Sequence, residues 1–467
     1  MTPDDLKRYN VSVGSGSGCF FQPMTEEYTY ILTAKHLFQN ERKNEDTAVI
    51  TYEPLAEGTP IEIFKNVKTD HGWLEESIPF HIDTGINYFP HPHPDVDCAI
   101  LKIPPESGFE DILVEDNIDR NLDYQLCGFP SDNHLNQPGE RDSILKVEGI
   151  LASGNFSHRA QLLGNINYEN IVGMSGGGYL KIGNNHLTIL GVQSKMATKA
   201  AQALGQVGFI PMKYFTEIIK AQEDEGTLEH LLPAYLRSFS FFDDEIFNIV
   251  TGPQELIVAR KVKLTRILKI KAAEIRDSDI TPNYIKDHLQ DKLLLLDQNN
   301  FELQKRGIWK MWLELLTILN IAKNRAHSLA DMPDIFEKVR MFFSDVNADF
   351  WTTHLADLHK LDFSGLEHGG IVIVASNSPC TSKEMDILDL SKIPSHIAEA
   401  RNDYAMRHLG QEIDVASEFP LEKYKFINIS AFKESAVVEL DEKFDNSLPN
   451  ESLATIKQLY EQFIPEW

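Results

Sequence analysis

The chain has 467 residues, a length that predicts two or three domains rather than one. Hydrophobic residues make up 42% of the sequence, which excludes wholesale disorder. Asp and Glu number 70 against 44 Lys and Arg, for a formal net charge of −26 at pH 7. So acidic a chain repels phosphate backbones and anionic lipid surfaces, so we expect no membrane partner and no general nucleic-acid binding.

The cysteines are too few and too scattered for a disulfide framework: Cys19, Cys98, Cys127 and Cys380. None forms a CxxC pair or lies at zinc-finger spacing from a histidine, so we expect small buried apolar residues. We expect no metal and no cofactor. The N-terminal segment lacks the apolar core of a signal peptide, and no stretch is apolar for long enough to span a bilayer. These features predict a cytoplasmic protein.

Short β-branched and aromatic runs, separated by Gly, Pro and Asn, fill the first half of the chain. Examples are Tyr28–Thr33, Cys98–Ile103, Tyr124–Gly128 and Leu187–Val192. Strands at such close spacing favour a sandwich or a barrel. Pro211–Ala221 predicts an amphipathic helix that closes this region, and the charged segment after it marks a boundary. We therefore assign residues 1–226 to a first domain.

From about Leu228 the apolar residues follow helical spacing. We expect a mainly helical interaction domain over residues 227–362, with helices at Leu289–Leu303, Ile308–Arg325 and Met332–Phe343. Farther on, Ile371–Ala375 and Lys425–Ile429 are typical of strands, and a helix is expected between them at His396–Leu409. This alternation predicts a small α/β domain over residues 363–467.

Three separated segments supply the side chains that serine-based acyl hydrolysis needs. His36 ends the sequence TAKH, Asp97 begins DCAILK, and Ser175 lies within GMSGGG. A serine hydroxyl needs an imidazole to take its proton, and the imidazole needs a carboxylate to hold its tautomer. The developing oxyanion needs backbone N–H donors, which the flanking glycines allow at Gly173 and Ser175. Asp95 is a fallback for the carboxylate.

Other motifs favour ordinary structural roles. The run Gly14–Gly18 is glycine-rich, but no Gly-Lys-Ser/Thr follows it, which argues against a phosphate loop. His91 and His93 could bind a metal, although a Pro-bounded exposed loop is the more common outcome for such a sequence. Cys380 has no assignable base, so a plain thiol is expected there.

The order His, Asp, Ser, with each residue flanking a strand, resembles the trypsin-like serine peptidases in their bacterial, disulfide-free form. The resemblance runs from about Asn10 to Ala221 and is supported by CGFPS at Cys127–Ser131 and LGVQS at Leu190–Ser194. It implies an all-β double six-stranded barrel with the catalytic groups in the cleft between the barrels. A helical and α/β C-terminal module follows it.

The same resemblance implies how a protein substrate is bound. Gln193 and Ser194 belong to a segment that lies beside the bound substrate in that family. Glu169, six residues before Ser175, is at the position that floors the specificity pocket, where a carboxylate would favour Lys or Arg. A solvated turn residue is the other interpretation of Glu169. Met174 stands where secreted members carry the Asp that pairs with a new N-terminus, so that route of activation is not expected.

Arg260–Arg276 is the one basic run in this acidic chain, and its periodicity fits a helix or a strand. It is either a solvated face or a docking site for an anionic ligand, a nucleotide or an acidic partner. If the chain contacts nucleic acid at all, we expect the contact to be made by this segment.

The second half carries no catalytic constellation. By its architecture and by the sequence HGGIVIVAS at His368–Ser376, it resembles the C-terminal regions of bacterial conflict systems of the ABC-three-component type. That resemblance implies an antiphage role in which a protein or ligand engages the C-terminal module and releases the protease. The predicted function is a gated cytosolic serine endopeptidase. The alternatives are an inactive peptidase-fold binding scaffold and a serine esterase.

Overall fold

The computed structural model describes most of the chain with side chains. The described residues are 3–43, 50–116, 123–131, 133, 136–137, 140–164, 166, 170–183, 186–194, 205–248, 255–295, 301–344, 358, 361–376, 387–388, 421, 423–429 and 447–464. Glu169, Cys380 and the helix expected at His396–Leu409 lie outside them. The chain divides into two compact units, Met1–Ala234 and Tyr235–Trp467.

Seven strands of the first unit form one antiparallel sheet in the order β7-β6-β1-β2-β3-β9-β8. They are β1 (Asn10–Val13), β2 (Gly16–Phe21), β3 (Thr29–Thr33), β6 (Pro60–Thr69), β7 (Gly72–His81), β8 (Tyr88–Pro90) and β9 (Ala99–Ile103). A separate hairpin joins β4 (Gln39–Lys43) to β5 (Ile50–Pro54). Within the described residues the end strands β7 and β8 do not pair, so this half is an open sheet. An open sheet of this kind is consistent with the double barrel expected, and closure of this half stays a prediction.

The other half of the first unit is a closed barrel of six strands. They are β11 (Gln125–Gly128), β12 (Ser143–Ser153), β13 (His158–Leu162), β14 (Gly178–Ile182), β15 (Leu187–Gln193) and β16 (Gln206–Pro211). Pairing of β15 with β16 closes the ring, and β10 (Ile112–Val114) adds to β15 in parallel. Apolar residues such as Leu126, Tyr179 and Phe209 fill its interior. The barrel expected for this half is confirmed.

Helix α1 (Met212–Ala221) follows β16 directly, as the amphipathic pattern predicts. Pro211 precedes it with the φ of −65° that suits the start of a helix. The helix buries Phe215, Ile218 and Ile219 and packs against β9 and β15. It therefore contacts strands from both halves of the first unit.

The described helices of the second unit are α2 (Glu255–Arg276), α3 (Pro282–Leu289), α4 (Arg306–Lys323), α5 (Met332–Lys338) and α6 (Pro449–Phe463). Helix α4 is buried along nearly its whole length, which confirms the helix expected at Ile308–Arg325, and α2 and α6 pack against it. Since Arg260–Arg276 lies within α2, the helical alternative for the basic run is correct. None of the described helices combines the length and the apolar character needed to cross a bilayer.

The second unit also contains a four-stranded sheet in the order β17-β18-β20-β19. Its strands are β17 (Val339–Ser344), β18 (Ile371–Ser376), β19 (Ile387–Leu388) and β20 (Lys425–Asn428), and β18 pairs in parallel with β17 and β20. Strands were expected at β18 and β20, and both are confirmed. Because β17 precedes residue 362 and β18 follows it, one sheet takes strands from both sides of the division expected there.

Two helix predictions in the second unit are wrong. Met332–Phe343 is helical only to Lys338, because the apolar run after it pairs with β18 as a strand. Leu289–Leu303 is not a continuous helix, because α3 ends at its first residue. Leu294 forms a bridge to Phe342 of β17 instead, which holds that apolar segment against the sheet.

Candidate active site

Strand pairing brings His36 and Asp97 together. His36 lies in a short 3₁₀ helix directly after β3, Asp97 lies just before β9, and the two strands pair with Thr33 opposite Ala99. The backbone N–H of His36 donates to Asp97 Oδ1 at 2.9 Å, and His36 Nδ1 lies 2.8 Å from Asp97 Oδ2. A proton on Nδ1 completes the second contact and leaves Nε2 as the acceptor, which is the tautomer a general base requires.

Asp97 also accepts a hydrogen bond from Ser194 Oγ at 2.9 Å. Burial acts to raise the pKa of Asp97, but the hydrogen bonds from His36 and Ser194 and the interaction with the imidazole outweigh it. The pKa of Asp97 therefore lies below its ordinary value, and the carboxylate is ionised at neutral pH. Asp95 is exposed, and its N–H donates to His93 Nδ1. Asp97, not Asp95, is the partner of His36.

Ser175 lies in the loop before β14, and this loop is pressed against β2 and the end of β3. Ser17 N donates to the carbonyl of Ser175 at 2.7 Å, and Gly176 N donates to Gln193 O at 2.7 Å. Gly176 has φ +86°, and a Cβ there would lie 2.0 Å from Ser17 O and 2.4 Å from Thr33 Oγ1. Only glycine satisfies both constraints, which explains the residue that follows the serine.

The loop carrying Ser175 and the 3₁₀ helix carrying His36 meet at one point of β2. A Cβ on Gly16 would lie 2.6 Å from the side chain of Leu37 and 2.8 Å from the carbonyl of Ser175. Leu37 is the residue after His36, so Ser175 and His36 occupy the same region of the first unit. Among the described contacts there is no hydrogen bond from Ser175 Oγ to the imidazole. Such bonds commonly tighten only when substrate is bound.

The backbone amides of Gly173–Gly177 differ in whether they donate to a backbone carbonyl. Met174, Gly176 and Gly177 donate their N–H groups to backbone carbonyls, whereas the N–H groups of Gly173 and Ser175 have no backbone acceptor within the described residues. Gly173 has φ +92°, and its carbonyl accepts from Ser17 Oγ at 2.8 Å. Within Gly173–Gly177, the two amides expected to form an oxyanion hole thus have no backbone acceptor among the described residues.

The structure places the residues expected to contact substrate, Gln193, Ser194 and Glu169, in three different situations. Gln193 is only 1% exposed, so its side chain does not face solvent. Its backbone forms hydrogen bonds with the loop that carries Ser175. Ser194 directs its hydroxyl to Asp97. Glu169 lies outside the described residues, so its pocket role stays a prediction.

The other candidates have structural contacts. His91 Nε2 lies 3.1 Å from Glu217 Oε2, and the described residues contain no group of three or more His, Cys, Asp or Glu side chains that could hold a metal. Cys19, Cys98 and Cys127 are buried free thiols, and burial raises the pKa of Cys19 to about 12. The fourth cysteine lies outside the described residues.

Two serines support the site in ways that the sequence reasoning did not find. Ser194 orients Asp97, and Ser17 Oγ accepts from Phe129 N and donates to Gly173 O, both at 2.8 Å. The sequence contains one indication for Ser17, because it lies in the glycine-rich run Gly14–Gly18 directly before the apolar residues Cys19–Phe21. A fully buried hydroxyl must find a hydrogen-bond partner, although the sequence does not say which one.

Residues 209–438 match the family model of C-terminal domain 4 of the ABC-three component (ABC-3C) systems. The match covers slightly less than half of the chain and supports the C-terminal resemblance. It begins within β16 of the first unit and includes α1. A comparison with curated proteins gave no match.

Proposed function

We propose that the first unit is a serine endopeptidase with Ser175 as nucleophile, His36 as general base and Asp97 as the carboxylate that orients His36. The observation that carries this proposal is the contact of His36 Nδ1 with Asp97 Oδ2 at 2.8 Å, beside the loop that holds Ser175. The unpaired amides of Gly173 and Ser175 add support, since an acyl-transfer site needs two such donors.

The proposed reaction follows from these positions. Ser175 Oγ bonds to the carbonyl carbon of the substrate while its proton passes to His36 Nε2. The carbonyl oxygen becomes an anion held by the two amides. The amine then leaves with the proton from His36, and water attacks the resulting ester with His36 again acting as base. Asp97 stays ionised throughout and stabilises the imidazolium ion that forms.

The family match bears on the biological setting. Because residues 209–438 match a domain of ABC-three component systems, we propose that this protease serves antiphage defence in the cytoplasm. The second unit is proposed to be the sensing module, since it supplies buried helices and a sheet without a catalytic cluster among its described residues. A protein or ligand that engages it would release the protease.

The direct test is labelling of the full-length protein with a fluorophosphonate. Attack by Ser175 Oγ on phosphorus expels fluoride, with His36 accepting the proton, so wild type should label and Ser175→Ala should not. Ser77→Ala, at an exposed position of β7, is the matched control and should label like wild type. The reaction is run alone and with the products of neighbouring genes, because the protease is proposed to be gated.

The same protein preparations separate the alternatives. No labelling under any of these conditions would favour the binding scaffold over the enzyme. If labelling succeeds, turnover of peptide and simple ester panels distinguishes an endopeptidase from an esterase, since the acyl-serine mechanism serves both.

A further inference from the structure

Lys35, the residue before His36, is buried and uses its ammonium group on backbone carbonyls. It is 7% exposed, and its Nζ donates to His91 O at 3.4 Å, His93 O at 2.8 Å and Pro94 O at 3.1 Å. A lysine ammonium has three N–H donors, so these three carbonyls match its capacity. Burying an ammonium costs free energy unless such partners compensate it, so this arrangement specifies one position for the loop.

The three carbonyls belong to residues 91–98, the connection between β8 and β9 that carries Asp97; we call it the Asp97 loop. His91 N donates to Cys98 O at 3.0 Å, which closes the loop at its base, and Val96 N donates to His93 O at 3.3 Å. Lys35 therefore binds the loop on its first half, and Asp97 lies on its second half. Lys35, which binds the loop, and His36, which needs the carboxylate that the loop carries, are adjacent in the sequence.

The charges of Lys35 and Asp97 both affect the pKa of the buried Cys98 thiol. Burial and the charge of Asp97 raise the pKa of the Cys98 thiol, while the charge of Lys35 acts to lower it. The charges of Asp97 and Lys35 thus both act on the buried Cys98 thiol, which ends the Asp97 loop. Displacing the ammonium group would release the three loop carbonyls that it binds.

Helix α1 also contacts the Asp97 loop, through His91. His91 Nε2 lies 3.1 Å from Glu217 Oε2, and the His91 ring meets the ring of Tyr214 at 5.8 Å between centroids. Both partners are on α1, which lies inside the region that matches the ABC-three component domain. The Asp97 loop is therefore held between the residue preceding His36 and the start of the matched region.

We propose that Lys35 is a positioning residue that holds the Asp97 loop so that the carboxylate meets His36, with His91 and Glu217 anchoring the loop to α1. The catalytic consequence rests on the proposed peptidase function, whereas the positioning of Asp97 does not. A displacement of α1 would reach Asp97 through this loop, which gives the proposed gate a physical route to the active site.

The test compares full-length wild type with Lys35→Met, which keeps the length of the side chain but removes the ammonium group. The first readout is the far-downfield proton resonance of the His36 Nδ1–H shared with Asp97, identified by its loss in His36→Ala. We expect this resonance to broaden or disappear in Lys35→Met. The second readout is fluorophosphonate labelling, whose maximal rate should fall about 10- to 100-fold while the half-saturating concentration stays within about threefold.

Lys102→Met is the matched control, because Lys102 also donates to a backbone carbonyl of the first unit, that of Thr227, away from the Asp97 loop. It should keep both the resonance and the labelling rate. A folded Lys35→Met protein with wild-type resonance and wild-type maximal rate overturns the proposal. If Lys35→Met does not fold, Glu217→Gln at a half-exposed position of α1 replaces it, and an unchanged resonance there overturns the proposal.

Failure of the positioning claim and failure of the proposed function give different results. If wild type shows the resonance but never labels, the peptidase proposal fails, and the resonance in Lys35→Met alone decides the role of Lys35. If wild type labels and Lys35→Met labels equally fast, the peptidase proposal stands and the positioning role is wrong.

Discussion

At the scale of single residues, the pKa values of two carboxyl groups in the first unit, the partly buried Asp97 and the buried Asp142, shift in opposite directions. The pKa of Asp97 is lowered because its hydrogen bonds to His36 and Ser194 outweigh burial. The pKa of Asp142 is raised because burial outweighs the nearby Lys7, whose Nζ lies 3.5 Å from Oδ1. Both Asp142 oxygens lack a hydrogen-bond partner in the described part of the chain. The fold therefore favours the ionised form of Asp97 and the neutral form of Asp142.

These directions give a paired prediction on stability. A lowered folded pKa means that Asp97 stabilises the fold above the unfolded value of about 3.9, and that this contribution is lost as the pH falls through the folded value. A raised folded pKa means that Asp142 favours folding at low pH and loses that contribution as the pH rises through its folded value. At pH 7 we expect Asp97→Asn to destabilise by roughly 1–3 kcal/mol and Asp142→Asn to stabilise by roughly 1 kcal/mol.

Urea unfolding of the variants and wild type at pH 7 and near pH 3 measures these differences. Both changes in the free energy of unfolding should shrink toward pH 3, because the Asp97 contribution declines as the pH falls below the unfolded value and Asp142 is protonated in both states. Each variant serves as the control for the other, since both replace a buried Asp by Asn in the same unit. Changes of the same sign at pH 7, or changes that do not depend on pH, would contradict the assigned shifts.

The sequence predicts some of these residue roles and not others. TAKH and DCAILK each sit at a strand end, so the pairing of β3 with β9 makes the contact of His36 with Asp97 foreseeable. The Ser194 hydroxyl donates to Asp97, from which it is separated by 97 positions in the sequence, and the Ser17 hydroxyl donates to Gly173, which is 156 positions away. No local pattern encodes contacts of that separation, because they depend on how the sheet and the barrel pack.

At the scale of elements, the hairpin of β1 and β2 supports the loop that carries Ser175. Removing the Ser17 hydroxyl in Ser17→Ala leaves Gly173 O and Phe129 N without this partner, at a cost of about 1–3 kcal/mol. Because Gly173 supplies a proposed oxyanion donor, we also expect slower labelling by fluorophosphonate. Ser12→Ala, opposite Ser17 in the same hairpin, is the control and should leave the labelling rate unchanged. Wild-type labelling by a folded Ser17→Ala protein would show that the hairpin is not part of the support.

Whether a segment forms a helix or a strand can be predicted from the sequence where the pattern is long, but not where it is short. The apolar run of α4 extends over more than four turns, which only a buried helix accommodates. The run that becomes β17 has six residues, and helical and strand patterns are indistinguishable over such a length. Parallel pairing with β18 decides it, and that partner lies in a distant part of the sequence. The open edge of the first sheet is unpredictable for the same reason, because closure depends on pairing between its first and last strands.

At the scale of the whole molecule, the apolar clusters that can be traced fully among the described residues each lie within one unit. One runs from Leu6 to Leu231 in the first unit, and another runs from Leu294 to Phe426 in the second. A unit with its own core can unfold on its own. In the sequence, strand-like runs give way to helical spacing near residue 228, close to the boundary between the two units. The sequence patterns do not show that the family match begins inside the first unit, at β16, or that it includes α1, which contacts the Asp97 loop through His91.

The separate cores predict two thermal transitions, each sensitive to mutations in one unit. Leu316 of α4 and Leu32 of β3 are both 0% exposed, and Leu→Ala at such sites costs about 2–5 kcal/mol through lost burial and the cavity left behind. Calorimetry of the full-length protein should show that Leu316→Ala lowers one transition and Leu32→Ala lowers the other. Fluorophosphonate labelling below both transitions should stay near the wild-type level in Leu316→Ala, because the candidate active site lies wholly in the first unit. If either substitution lowers both transitions equally, the two cores unfold as one, and the proposed gating would have to act through the stability of the first unit rather than through displacement of α1.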